Sequence, residues 1–232
     1  METTSSPTSP KPSSELRRAG FVAWLVLAAV LVAVGFIGQS SGDSDPDLFY
    51  SYGLAFSSIV LYGILIALTW WAATSYGKPV AALGLRRFPV KWTGIAVGLI
   101  FLVFVLAFLL EPVLHAGEEQ GYAPDVWRPE RAGAFFVNGL VAATLVPFAE
   151  ELFFRGLGTR ALAFLGSVAA IGGTGVVFGL AHGVFVALPV LVAFGVALAW
   201  VRIRSDSVWP GIVAHGFFNG LSIVALYADL TR

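Results

Sequence analysis

The chain contains no cysteine, which removes disulfides, thiolate nucleophiles and thiolate metal ligands together. Charge is also scarce. Only 12% of the 232 residues are Asp, Glu, Lys or Arg, against about 25% in an average soluble domain. Fourteen basic side chains face fourteen acidic ones, so the formal net charge is zero. A basic face for nucleic acid is therefore not expected. What the chain has in excess is apolar surface, at 57% of residues. Its length allows about seven spans of roughly 20 residues each plus loops. The expected fold is all-α: a polytopic transmembrane helical bundle of about seven membrane helices, partnered by the lipid bilayer.

Residues 1–18 are rich in Ser, Thr and Pro and cannot build a core, so they read as a disordered cytoplasmic tail. Arg17 and Arg18 precede an apolar run from about Phe21 to Ile37. It is long for a signal peptide and lacks a clear cleavage site, so an uncleaved first span is expected. Further spans are expected near Leu54–Trp71 and Thr93–Leu114. The connector between them, Lys78 to Lys91, is basic. The loops holding Asp43, Asp45 and Asp47, and Glu118, Glu119, Asp125 and Glu130, are acidic. The Lys and Arg distribution places the N-terminus in the cytoplasm. Residues 19–131 form the N-terminal helices in this reading, and they carry no motif. Residues 132–229 form a second membrane domain, the one expected to carry the chemistry. Its first helix runs from near Ala134 to Phe164 without a clear stop, with a kink expected at Pro147.

The polar residues of this second half are the informative ones. A charged side chain at the centre of a membrane helix costs roughly 2.5–3.5 kcal/mol on insertion scales, so such residues tend to be paired, inward-facing and functional. Glu150 and Glu151 are adjacent, and Arg155 lies four residues after Glu151, on its helix face. Glu150 points about 100° away from that pair. It precedes a turn at Gly166 by the number of residues by which His182 follows it, so a helical hairpin sets the two at one depth. His215 and Asn219 share a face of the last helix, with Ser222 one turn on.

Each feature also has a plain structural reading. Glu151–Arg155 can be an ion pair, Glu150 a solvated carboxylate, His182 a surface histidine, and His215 and Asn219 interhelical hydrogen-bond partners. Those readings weaken jointly, because one Glu, two His and one Asn on three helices form a hydrolytic set. Phe178 reads as packing and His115 as a loop residue outside the group.

Glu150-Glu151-x-x-x-Arg155, Phe178-x-x-x-His182 and His215-x-x-x-Asn219 resemble the three motifs of the CAAX prenyl protease 2 and bacteriocin-processing family. That family includes the Ras-converting endopeptidase and the lysostaphin resistance protein A-like proteins. Pro147 and the Trp209-Pro210-Gly211-Ile212 run fit the same pattern, over roughly residues 130–225. The resemblance implies an intramembrane endopeptidase acting on a membrane-associated peptide or protein. By the same resemblance Glu150 is the catalytic carboxylate and His182 its partner on water. His215 and Asn219 stabilise the oxyanion, and Glu151 and Arg155 support the site.

Residue chemistry is consistent with a carboxylate base in an apolar cavity. The cofactor stays open between Zn2+ and none, because Glu150, His182 and His215 are also a possible zinc donor set, although HExxH spacing is absent. A proton-coupled transporter and a non-catalytic immunity or partner protein are the rival classes. Against the transporter, the intramembrane charges lie in one half of the chain, without paired repeats. Usage rich in Ala, Val, Gly and Leu, without cysteine, fits a GC-rich bacterium and its plasma membrane.

Overall fold

The computed structural model describes residues 13–40, 45, 47–115 and 124–232. The described residues are helical, without strands. In order, the helices are α1 (Ser14–Ser40), α2 (Tyr52–Ala73), the short α3 (Pro79–Ala82), α4 (Lys91–Leu114), α5 (Ala132–Ala143), α6 (Leu145–Glu150), α7 (Thr159–Ala161), α8 (Ser167–Ala181), α9 (Leu188–Ser205) and α10 (Trp209–Leu230). A π-helical segment, Glu151–Gly158, joins α6 to α7.

Six stretches among the described residues are long and apolar enough to cross a membrane. A polytopic helical bundle is therefore the architecture. The expected count of about seven includes α8 as well. The hairpin partner α8 has 15 residues, which at 1.5 Å rise reaches about 22 Å, short of a bilayer core of about 30 Å. It is thus about three-quarters of the length of a full span.

Two local expectations also change. Helix α1 begins at Ser14, so residues 14–18 are helical rather than part of a disordered tail. The Ser13 hydroxyl accepts from Leu16 N at 3.3 Å, an N-cap contact that starts the helix there. The remainder of that tail, residues 1–12, lies outside the described residues, as do Asp43, Glu118 and Glu119.

The second change is the helix expected to run unbroken from Ala134 to Phe164. Pro147 has no N–H to give the Ala143 carbonyl and crowds it. The chain breaks one residue beyond that carbonyl, at Thr144 (φ −125°, ψ −65°). Two carbonyls released before the break find new donors. Thr144 Oγ1 donates to Leu140 O at 2.6 Å, and Asn219 Nδ2 donates to Ala142 O at 2.9 Å. The kink expected from Pro147 is present as a full interruption.

Ends of the bundle are tied by charges from distant loops. Asp47 pairs with Arg128 at 2.6 Å and Arg131 at 3.2 Å. At the other end Asp206 pairs with Arg86 and with Arg202. His115 caps α4 in a left-handed conformation (φ 51°), exposed and away from the polar cluster, as expected of a loop residue.

Helices α8 and α9 pack through small residues, as membrane helices do. A Cβ built on Gly195 would lie 2.8 Å from the Gly175 Cα. This approach matters to the site, because it carries the Gly195 carbonyl to Arg155. Gly195→Val is expected to force the two helices apart and cost about 1–3 kcal/mol, as overpacking does. A lowered thermal midpoint of the detergent-solubilised variant checks this.

Candidate active site

Every candidate from the motifs lies on the inner wall of the C-terminal helices, and the arrangement begins with a buried charge. Arg155 is fully buried, as is Glu151, and their side chains approach at 2.9 Å (Nη1 to Oε1) as an ion pair. Two further contacts hold the guanidinium. Nη2 donates to Gly195 O at 3.3 Å. The Phe178 ring lies beneath it, 4.2 Å from Cζ, close enough for a cation–π contact. Phe178 itself is 1% exposed and stacks on Phe194 at 5.6 Å. The packing role expected of Phe178 is thus accompanied by a direct hold on the arginine.

Glu151 passes the charge on. Its Oε1 also receives His215, whose Nδ1 is 3.2 Å away. A carboxylate only accepts, so Nδ1 carries the proton. Gly211 makes room for this carboxylate, since a Cβ there would sit 2.6 Å from Oε2. The other ring nitrogen, Nε2, lies 3.8 Å from Glu150 Oε2. His215 therefore stands between the two glutamates.

The two glutamates differ in access as well as partners. Glu151 is sealed, whereas the Glu150 side chain is 12% exposed. Glu150 lines a cavity of about 720 Å3, together with His182, His215 and Asn219. The site candidates from three separate motifs are thereby brought to one enclosure. Its remaining walls are mostly apolar, with Leu61, Val103, Phe104 and Phe218 among them, and Gln39, Tyr62 and Ser222 add further polar groups. His182 sits at the C-terminus of α8, where its Nδ1 is 2.8 Å from Phe178 O. A carbonyl accepts, so Nδ1 is protonated and Nε2 is the acceptor of the neutral ring. The hairpin register that pairs Glu150 with His182 is met in this sense: both open on the same cavity.

Three departures from the sequence reading concern this site. First, the contacts of Glu150 are His215 and Tyr62, whereas His182 shares only the cavity. Second, the Asn219 amide is engaged with Ala142 O, which leaves one of its two N–H groups for the cavity. Third, the N-terminal helices contribute more than topology. Tyr62 of α2 donates to Glu150 Oε1 at 3.3 Å. A tyrosine hydroxyl inside an otherwise apolar span needs a partner, and that requirement was the signal available in the sequence.

Helical spacing of about 100° per residue sends the adjacent glutamates to different neighbours, and a π-helical turn begins at the second of them. Such turns widen the backbone and are frequent at functional sites. Here the whole segment is buried, and its first residue is Glu151. Among the described residues, no three His, Asp or Glu side chains gather into a group able to hold a metal ion. Glu150, His182 and His215, the possible zinc donors, are not gathered into such a group, although all three line the cavity.

The described residues thus form a helical membrane bundle with carboxylate, imidazole and amide groups around one cavity. Residues 132–221, which include all of these motif residues, match the family model described as Rce1-like, type II CAAX prenyl endopeptidase. The match over this segment supports the resemblance to the CAAX prenyl protease 2 family, a family of membrane peptidases. No curated protein and no solved structure matches the chain.

The buried pair predicts an asymmetry. Arg155→Met leaves the Glu151 carboxylate buried beside His215 without its cation, at a cost of about 3–5 kcal/mol. Adding Glu151→Gln to that variant is expected to recover part of the loss. Unfolding midpoints of the single and double variants in one detergent give the comparison.

Proposed function

We propose that the protein is an intramembrane endopeptidase that cleaves a peptide bond of a membrane-associated protein or peptide with water activated by Glu150 and His182. The observation that carries this reading is the unequal treatment of the two glutamates: one sealed against Arg155, the other open to a cavity that also holds two histidines and an asparagine.

The steps follow from the donors and acceptors. A water in the cavity gives one hydrogen bond to His182 Nε2 and the other to the Glu150 carboxylate. Glu150 takes that proton while the water oxygen bonds to the scissile carbonyl carbon. The carbonyl π electrons move to oxygen, and the oxyanion is received by the remaining Asn219 N–H and by His215. Nε2 of His215 donates when the ring carries both protons. Glu151 then holds one N–H and the substrate oxyanion the other, with Arg155 and the imidazolium balancing the two carboxylates. Collapse of the intermediate breaks the C–N bond, and protonated Glu150 returns its proton to the leaving amine. The products are one new carboxyl terminus and one new amino terminus. No covalent enzyme intermediate is involved, consistent with the lack of cysteine.

The apolar cavity walls suit a substrate that arrives from the bilayer. The N-terminus lies in the cytoplasm, on the distribution of Lys and Arg between loops. A proton-coupled transporter is less well supported. The intramembrane charges lie in one half of the chain, without the paired repeats usual in such transporters.

Terminal profiling of the membrane proteome tests the proposal. Cells expressing the wild type are expected to accumulate new peptide termini that are missing with Glu150→Gln, while both proteins are recovered in equal amount and with similar unfolding midpoints. Identical terminal profiles would contradict the peptidase reading. Asn219→Ala is expected to slow the appearance of those termini by about 10²–10³, the usual effect of removing an oxyanion donor.

A further inference from the structure

We infer that Tyr62 is a positioning residue for Glu150, and that the reaction therefore depends on the N-terminal half of the chain as well as the family-matched segment. This rests on the reading of Glu150 as the base.

Glu150 reaches the cavity wall through three side-chain torsions, so several rotamers are open to it. Its two oxygens meet different partners from different helices. Tyr62 of α2 donates to Oε1 at 3.3 Å, and His215 Nε2 of α10 lies 3.8 Å from Oε2. The Tyr62 hydroxyl is the nearer of the two. It also lines the cavity beside Leu61 and Leu65 of the same helix, which are apolar, so it is the polar group that α2 presents there. The hydroxyl fixes one oxygen and leaves the other for the water between Glu150 and His182. Because α2 lies outside residues 132–221, the base is oriented by a residue that the matched domain does not contain. A base displaced by a fraction of an ångström loses its line to the attacking water, and misplacement of about 1 Å can cost about 10²-fold in rate.

The test uses the full-length protein in membranes, with Tyr62→Phe, which keeps the ring and removes the donor. Two rates are read. The first is covalent labelling of Glu150 by dicyclohexylcarbodiimide, located by mass spectrometry. The reagent adds to a protonated carboxyl group in apolar surroundings, and Glu151, sealed in its ion pair, is the internal control. Loss of the hydroxyl frees Glu150, and labelling is expected to rise about tenfold, the factor implied by a lost hydrogen bond to a charged group. The second is the appearance of the wild-type-specific peptide termini, expected to slow by about 10- to 100-fold. The unfolding midpoint is expected to stay at the wild-type value.

Unchanged labelling overturns the inference whatever happens to cleavage. Faster labelling with unchanged cleavage overturns the positioning role. If Glu150→Gln leaves the termini intact, the peptidase reading fails, while the labelling rate still reports whether Tyr62 holds this carboxylate.

Discussion

The rest of the structure depends on one buried charge, the Arg155 guanidinium. An unpaired cation in the interior of a membrane bundle is too costly to keep. Its surroundings answer it from three elements. Glu151 of the π-helical turn supplies the opposite charge, Gly195 of α9 a carbonyl, and Phe178 of α8 a ring face. Meeting those demands fixes how α8, α9 and the turn pack. His215 of α10 then joins through Glu151 Oε1. The site is assembled outward from the arginine, and Glu150 is the first charged group in that chain with access to the cavity.

Irregular backbone does the remaining placement. Inside a bilayer an open carbonyl is expensive, so a broken helix persists only where side chains re-satisfy it. The break at Thr144 is re-satisfied by Thr144 itself and by Asn219. That second bond docks α10 against α5 and brings Asn219 to the cavity. Asn219 therefore has a structural bond and a proposed catalytic one, and its two N–H groups allow both. The short α8 belongs to the same logic. It ends at His182, which opens on the cavity.

Much of this was legible in the residues. Composition alone required a helical membrane protein. The i, i+4 spacing of Glu151 and Arg155 anticipated their ion pair, and the symmetric placement of Glu150 and His182 about Gly166 anticipated a shared cavity. Three motifs in order anticipated the family match over residues 132–221. What escaped the sequence was of two kinds. The π turn, the break at Thr144 and the shortness of α8 are backbone events, and apolar helical periodicity looks alike on either side of them. Tyr62 and Asp47 are long-range partners, 88 and about 80 residues from the groups they bind, and no local spacing encodes such a meeting. Tyr62 still left a trace, as a lone phenol in an apolar span.

In the proposed reaction Glu150 and His182 activate water directly, and His215, held by Glu151 through Nδ1, serves the oxyanion. The most direct test is the metal content of the purified, cleavage-competent protein, combined with its response to chelators. The account predicts substoichiometric zinc and unaltered production of the Glu150-dependent peptide termini after chelation. One tightly bound zinc per chain, whose removal abolishes cleavage and whose return restores it, would contradict the account.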